Sequence, residues 1–513
     1  MDLISSEWMP AKNRTNDLAH LSPLDLGDPR WQDLAAPRPD FQGAAYQFLI
    51  GLLQTAFAPS DRDEWSDRLV SPPSRSELGQ AFAPIRHAFL LESPEGPAFL
   101  QDLDLQDARE VEARDLIFEY GSDASEFFCK PAEGFGLCDS CAAHALATMQ
   151  FNAPSGGRGT RTSLRGGGPI TTLLLPESAD ALLWERLWLN VIPADELGCP
   201  PVTSWSSVLP WLAPTRRSDG PDAVVTTPES VHPLQAYWSM SRRIRLDWTG
   251  AVAGQCSVCG AAGQRLLQRF QTRHGGTNYE GAWMHPLSPY VLDPKGEKPP
   301  IARKGQPGGL GYRDWLGLTY GTDADHTAAL AVRSFVASAP AGTTLRLWSS
   351  GADFDNMKLR GWYDSVVPLY AVELAMRGRF VREVGALLET AVAGSKLLND
   401  HVKAAWNANL SDPAVRQSFW EATEPAFFEA LRDLAAAGQS GDSDQIRVRQ
   451  QWLRTVRDHA LALFDSWTLR GPIESLRLDR VVTSRGKLAG DLYRKKPMKE
   501  LWQSVRATEE AAA

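Results

Sequence analysis

GFGLCDSCAAHALATMQF, residues 134–151, holds the first of two C-x-x-C pairs, and QCSVCG, residues 255–260, holds the second. The pairs are Cys138 with Cys141 and Cys256 with Cys259. Two thiolates in this spacing on a tight turn can share one tetrahedral zinc ion, and a second such turn completes the four-sulfur shell. Four sulfurs leave no open position, so a zinc ion there is structural, and it fixes the loops on either side of each pair. The competing reading is four unrelated buried or redox cysteines, because a long stretch of chain separates the pairs.

Outward from the first pair, a helix is predicted over about Ala142–Phe151. It is followed by SGGRGTRTSLRGGG, residues 155–168, in which six of fourteen residues are glycine, three are arginine and none is acidic. A phosphate-binding P-loop needs a lysine after its last glycine, and this loop has none. Two readings stay open. One is a flexible connector. The other is a nucleic-acid contact in which glycines allow close backbone approach and Arg158, Arg161 and Arg165 supply charge. PITTLLLP then reads as a strand. RIRLDWTG and QRLLQRFQTRHGGTNYEGAW read as strands around a zinc-ribbon-like knuckle, and TTLRLWSSG (343–351) as a strand ending in a turn. Residues 190–235 read as an irregular excursion and 285–312 as a solvated loop.

Helical periodicity takes over from about residue 361. Phe380, Val384, Leu387, Leu388 and Ala391 share one helix face. Trp452, Leu453, Val456, Ala460, Leu463, Phe464 and Trp467 share another. Further helices are expected around Glu424–Ala436, with Pro425 in the first turn, and near Ile473–Tyr493. The expected fold is α+β: a large mixed N-terminal domain over 1–360 with the zinc-knuckle-like cysteine site, then a C-terminal four-helix bundle over 361–513.

The 513 residues suit two or three domains, and 43% hydrophobic with 22% charged residues is ordinary for a soluble protein. Eighteen tryptophans point to sizeable cores or stacking surfaces. Phe41–Ala58 is apolar but interrupted by Gln42, Gln47 and Gln54, which favours a buried helix over a membrane span. The opening MDLISSEWMP carries Asp2 and Glu7 without a basic region, so no secretory signal is expected and the chain reads as cytoplasmic. A net charge of −9 argues against wholesale coating of nucleic acid but allows a local cationic site. None of the nine histidines stands in H-E-x-x-H, and no G-x-S-x-G is present. No catalytic constellation emerges. The alternatives are a zinc-dependent enzyme that uses the cysteine site with His144 or His285, and a scaffold without DNA contact. A basic tail (Arg485, Lys487, Arg494, Lys495, Lys496, Lys499) reads as a solvated helix face or a backbone track.

FFCKPAEGFGLCDSCAAHALATMQFNAPSGGRGTRTSLRGGGPITTLL resembles the central segment of the CasA family, the large subunits of type I-E Cascade, an RNA-guided CRISPR surveillance complex. QCSVCG, GAWMHPLSPYVL, LISSEWMPA and WQDLAAPRPDFQGAAYQFLIGLLQTAFAP are also similar to that family, in order along nearly the whole chain. The resemblance implies a non-enzymatic subunit that works with the other Cascade subunits and lies near the 5′ handle of the guide RNA. It implies reading of the protospacer-adjacent motif (PAM) in double-stranded DNA, help in duplex opening and R-loop formation, and recruitment of a helicase-nuclease, with no membrane role. The family's handle- and DNA-proximal loop falls on Phe127, Phe128, Cys129 and Lys130. Its glycine loop falls on Ser155–Thr160, so Gly156, Gly157, Arg158, Gly159, Thr160 and the following Arg161 are implied DNA contacts. One family glycine is Arg158 here. The lysine finger falls near His274 with Arg273 beside it, and the wedge hairpin on Asp355, Asn356, Met357 and Lys358.

Overall fold

The computed structural model describes residues 1–513 except 121–133, 158, 307–308, 323–324, 356, 408–411, 438–441, 471–476, 497, 504 and 506–513. Two compact units divide the chain. The first comprises Met1–Gly309, Thr322–Phe335 and Arg346–Val366, and the second Leu310–Gly321, Val336–Leu345 and Val367–Ala513. The architecture is α+β, with helices in the second unit forming a C-terminal bundle. No helix among the described residues is long and apolar enough to cross a membrane.

In the first unit, helix α1 (Pro39–Ala56) is buried on nearly every side, which explains its lack of a polar face. Gln47 and Gln54 are buried with it, and Gln54 donates to the Ile192 carbonyl at 2.8 Å. The tryptophans are largely core residues. Phe48, Phe89, Phe99, Trp211 and Trp238 form an aromatic cluster, edge to face except for the stacked Phe89–Phe99 pair, with Phe89 and Trp238 centroids 5.3 Å apart. Each such ring contributes roughly 1.5–3 kcal/mol by burial.

Strand β1 (Arg109–Glu112), helix α2 (Asp139–Asn152), strand β2 (Thr171–Pro176) and strand β3 (Arg243–Asp247) follow along the chain. Next come the hairpin strands β4 (Val252–Gln255) and β5 (Ala262–Leu266), then β6 (Arg269–Arg273). Strands β1, β6 and β3 form an antiparallel sheet with β6 in the middle, Phe270 lying opposite Val111 and Leu246. Strand β7 (Thr344–Asp355) lies between β8 (Lys358–Tyr370) and β2.

Two expectations need correction here. The strand expected to turn at Gly351 runs on to Asp355. Ser349–Ala352 are small because the neighbouring chain passes close by: a Cβ on Gly351 would sit 2.9 Å from the Pro169 carbonyl oxygen. Residues 285–312 are not one solvated loop. His285, Leu287, Ser288 and Tyr290 are buried, and short strands stand at Tyr290–Val291 and Ile301–Ala302. Residues 190–235 are indeed mostly irregular, with short 3-10 turns, one short helix at Ala194–Leu197 and a two-residue strand at Val225–Thr226.

The second unit holds α3 (Leu374–Trp406), α4 (Pro413–Ala437), α5 (Asp442–Leu469) and α6 (Leu478–Arg494). Helix α3 packs on the other three, and α5 on α4 and α6. The apolar stripes face inward: Phe380, Val384, Leu387, Ala391, Trp452, Leu453, Val456, Ala460 and Phe464 are buried, whereas Leu388, Leu463 and Trp467 are half-buried at the stripe edges. Pro425 is not in a first turn but inside α4. It removes a backbone bond to Glu421 and costs about 3 kcal/mol in a helix interior. Buried Val415 and Phe419 before it, and Phe427 and Leu431 after it, continue one packed face and offset that cost. His401 stands on α3 and is half-buried. Its Nε2 reaches Asp491 across the bundle at 3.0 Å.

Candidate metal centre and nucleic-acid interface

Cys138 caps α2 with extended backbone, and its Sγ accepts the Cys141 N–H at 3.5 Å. Cys256 and Cys259 occupy the turn between β4 and β5. There the Cys256 N–H donates to the Ala261 carbonyl and the Gly260 N–H to the Cys256 carbonyl, both at 2.9 Å. The two knuckles are sewn together beside the sulfurs. Leu137 and Leu267 exchange both backbone bonds, and Ser257 and Gly136 exchange two more, one through Ser257 Oγ. The Cys138 N–H also donates to Cys256 Sγ at 3.4 Å.

These contacts bring all four sulfurs within 4.8 Å of one another, with Cys138 and Cys259 Sγ 3.8 Å apart. A Zn–S bond of about 2.3 Å in a tetrahedron requires sulfurs about 3.8 Å apart, so the donor set fits zinc. Cys141 and Cys256 are buried and Cys259 is exposed. Zinc takes cysteine as the thiolate. Among the described residues no histidine or carboxylate joins this cluster.

His144 and His285 serve packing. The His144 ring lies 4.8 Å from Trp8 and 5.7 Å from Phe41, and its Nδ1–H donates to the Ser140 carbonyl at 2.8 Å. His285 Nδ1 accepts the Leu287 N–H at 3.1 Å, so that ring is neutral too. Burial lowers His144 from 6.5 to about 4. Its folded value lies below its unfolded one. The neutral ring's full contribution is therefore present above pH 6.5 and is lost as pH falls through 4, about 3 kcal/mol in all. We expect His144→Phe to flatten the acid limb of stability between pH 6.5 and 4. Urea melts at stepped pH check this, and an unchanged limb would assign the loss to other groups.

The second feature is a cleft of about 290 Å³ over the β1–β6–β3 sheet. It joins residues far apart in sequence: the glycine loop, the end of β6 at Arg273–His274, and Met357 between β7 and β8. The loop is pinned here. The Gly275 N–H donates to the Gly159 carbonyl at 3.0 Å, and Thr160 Oγ1 bonds His274 Nδ1 at 3.2 Å. Gly157 and Gly159 have φ of +81° and +80°, a region that disfavours side chains. A Cβ on Gly156 would lie 2.4 Å from Thr160 Cγ2. Met357 is 41% exposed, and its sulfur would lie 4.0 Å from a Cβ on Gly157. Asp355 and Lys358 are exposed at the facing strand ends.

The arginines of the loop differ in role from one another. Arg161 Nε donates to Ser218 Oγ at 2.8 Å on the cleft wall. Arg165, expected to supply groove charge, is instead 5% exposed and spent on interior acceptors. Gly166–Gly168 turn the chain so that its guanidinium points inward, which loop composition alone does not reveal. Arg273 is engaged by the Gln106 carbonyl at 2.9 Å and Asp107 at 3.2 Å. Arg158, Asn356, Phe127, Phe128, Cys129 and Lys130 lie outside the described residues.

The sequence reading missed Arg109, Asp115, Arg242 and Arg243, which also line the cleft. Burial raises the Asp115 carboxyl, which weakens the one acid among these lining residues. The run SRRIRLD was the available signal: three arginines cluster at the start of a strand of the antiparallel sheet.

An α+β body with a four-sulfur knuckle, joined to a helical bundle, defines a class of CRISPR-associated protein. The family model described as CRISPR-associated protein Cse1 matches residues 2–463, and the chain belongs to this family. Solved structures share the fold at low identity. Thermobifida fusca Cse1 is 19% identical with a TM-score of 0.71, covering 97% of this chain and 98% of that one. Thermus thermophilus CasA (Cse1) is 17% identical with a TM-score of 0.68, covering 95% and 99%. A chain of a CRISPR RNA-guided surveillance complex is 18% identical with a TM-score of 0.70, covering 96% and 99%.

Proposed function

We propose that this chain is the non-catalytic large subunit of a type I-E Cascade complex, and that it reads the PAM in double-stranded DNA. In this reading it contacts the 5′ handle of the guide RNA through Phe127–Lys130, promotes duplex opening and R-loop formation, and helps recruit the helicase-nuclease. It acts in the cytoplasm with the other Cascade subunits. Base pairing by the guide supplies sequence, and the protein supplies motif and shape, as in other RNA-guided effectors.

The observation that carries the reading is the meeting of three segments on one cationic cleft: the glycine loop through Gly156, Gly159, Thr160 and Arg161, the end of β6 through Arg273 and His274, and Met357 between β7 and β8. Small residues suit entry into a groove, and arginine suits a narrow minor groove or a phosphate. The cysteine cluster would hold a structural zinc ion. Cys138, Cys141, Cys256 and Cys259 are its ligands, and its role is to fix the base of α2, from whose far end the glycine loop departs. Zinc-dependent catalysis is disfavoured, because four sulfurs leave the metal no open position.

The test uses the assembled complex with duplexes carrying a matched or a scrambled motif. Wild type is expected to prefer the matched duplex. Arg158→Ala with Asn356→Ala is expected to cut that preference about tenfold, the scale of one lost base-directed contact. Equal binding of both duplexes by wild type would remove the assignment.

A further inference from the structure

The cleft has a feature that groove reading alone does not need: depth combined with two chemistries. Its rim and floor carry Arg109, Arg161, Arg242, Arg243 and Arg273 against the single acid Asp115. Arg243 is paired with Asp102 and Arg273 with Asp107. Among the described residues no carboxylate makes an ion pair with Arg161 or Arg242. Arg242 Nη2 bonds only the Pro154 carbonyl, and its Nε is buried without a partner. Ser241 Oγ and Arg243 Nη1 are likewise buried and unpartnered, on residues 0% and 3% exposed. Hence, among the described residues, positive charge around the cleft is left uncompensated, which is costly unless an anion supplies the balance.

Part of the wall is apolar: Ile117, Phe118, Met149, Phe270 and Met357. A bare phosphate site has no use for such a wall. An arginine-rich end next to an apolar, partly aromatic wall matches a nucleotide, whose phosphate is anionic and whose base is flat and poorly hydrated. The volume of about 290 Å³ is at the small end of ligand pockets and excludes a duplex from the interior.

We propose that this cleft captures one unpaired nucleotide of a DNA strand, its phosphate toward Arg161 and Arg242 and its base against the apolar wall. The inference rests on the DNA-binding reading above and adds a ligand to the same site. Capture of one extrahelical nucleotide would hold a locally opened duplex open, because the displaced base gains a partner instead of restacking.

The experiment uses the full-length chain and a labelled duplex, either fully paired or carrying one bulged nucleotide, read by fluorescence anisotropy. The bulged duplex is expected to bind about tenfold more tightly, and millimolar dAMP is expected to abolish that advantage. Arg242→Gln removes the unpaired cation. Val111→Trp narrows the cleft while keeping every arginine, so it remains informative if Arg242→Gln disturbs the loop it anchors. Both variants, checked by thermal melting, are expected to bind the two duplexes alike. Equal affinity of wild type for the two duplexes overturns the inference, as does an advantage that survives Val111→Trp. If dAMP binds the cleft but no bulge preference exists, the site serves free nucleotide and the inference also falls. Loss of motif preference in the assembled complex with the bulge preference intact would count against the motif reading alone.

Discussion

Cys141→Ser is expected to empty the knuckle of metal and to lower stability by roughly 5 kcal/mol or more. Cys141 is 1% exposed and lies one helical turn from Cys138 at the start of α2. A serine oxygen is a poor zinc ligand and would be left buried among sulfurs with little to bond. The effect exceeds the loss of one ligand. Without the ion the Cys256–Cys259 turn is tied to α2 by the few bonds of Leu137 with Leu267 and Gly136 with Ser257, the Cys138 N–H to Cys256 Sγ and the Arg265–Asp139 ion pair. One zinc per wild-type chain by elemental analysis, and a chelator-sensitive guanidinium midpoint, are the expected results. Cys199→Ser, outside the cluster, is expected to retain both. A variant with unchanged midpoint and metal content would refute the structural zinc site.

Arg165→Met is expected to cost about 3–5 kcal/mol. The Arg165 guanidinium bonds Thr171 Oγ1 and Ser288 Oγ at 2.9 Å, the Phe151 carbonyl at 3.2 Å, Gln47 Oε1 at 2.5 Å and Asn152 Oδ1 at 3.4 Å. It thereby joins α1, the end of α2, β2 and the segment before Tyr290. Every partner is neutral, and burial lowers its pKa to about 10, so it remains charged at neutral pH. Methionine fills similar volume but strands these acceptors in a dry interior. Arg165→Lys is expected to recover little, because one ammonium cannot reproduce the planar fork. Urea unfolding reads the loss, and retained zinc in the same sample would separate it from damage at the knuckle. A loss below about 1 kcal/mol would mean that water replaces the guanidinium, as at a surface arginine.

The two features differed in how far they could be read ahead. The sulfur cluster needed only spacing, because two-residue gaps on tight turns carry their own geometry, and the structure brings the four sulfurs within 4.8 Å. The helices of the bundle were visible for the same reason: Phe380 to Ala391 and Trp452 to Phe464 repeat at the pitch of one helix. Pro425 misled because a local rule against proline in helix interiors was outweighed by Phe419 and Phe427, both fully buried on either side of it. The cleft was only partly legible. Composition marked the glycine loop, but Arg242 and Arg243 come from the entry to β3 and draw their meaning from what faces them.

The sequence by itself determined what depends on near neighbours: the knuckle spacing, the amphipathic helices and the glycines whose backbone turns at positive φ. Only the tertiary structure decided the fate of each cation. Arg165 lies four residues from the cleft-lining Arg161 yet is an interior brace, Arg273 is held by Asp107, and Arg242 has no anionic partner among the described residues. The physical reason is that a guanidinium's free energy is set by the dielectric and the acceptors within a few ångströms of it, and those are supplied by distant parts of the chain.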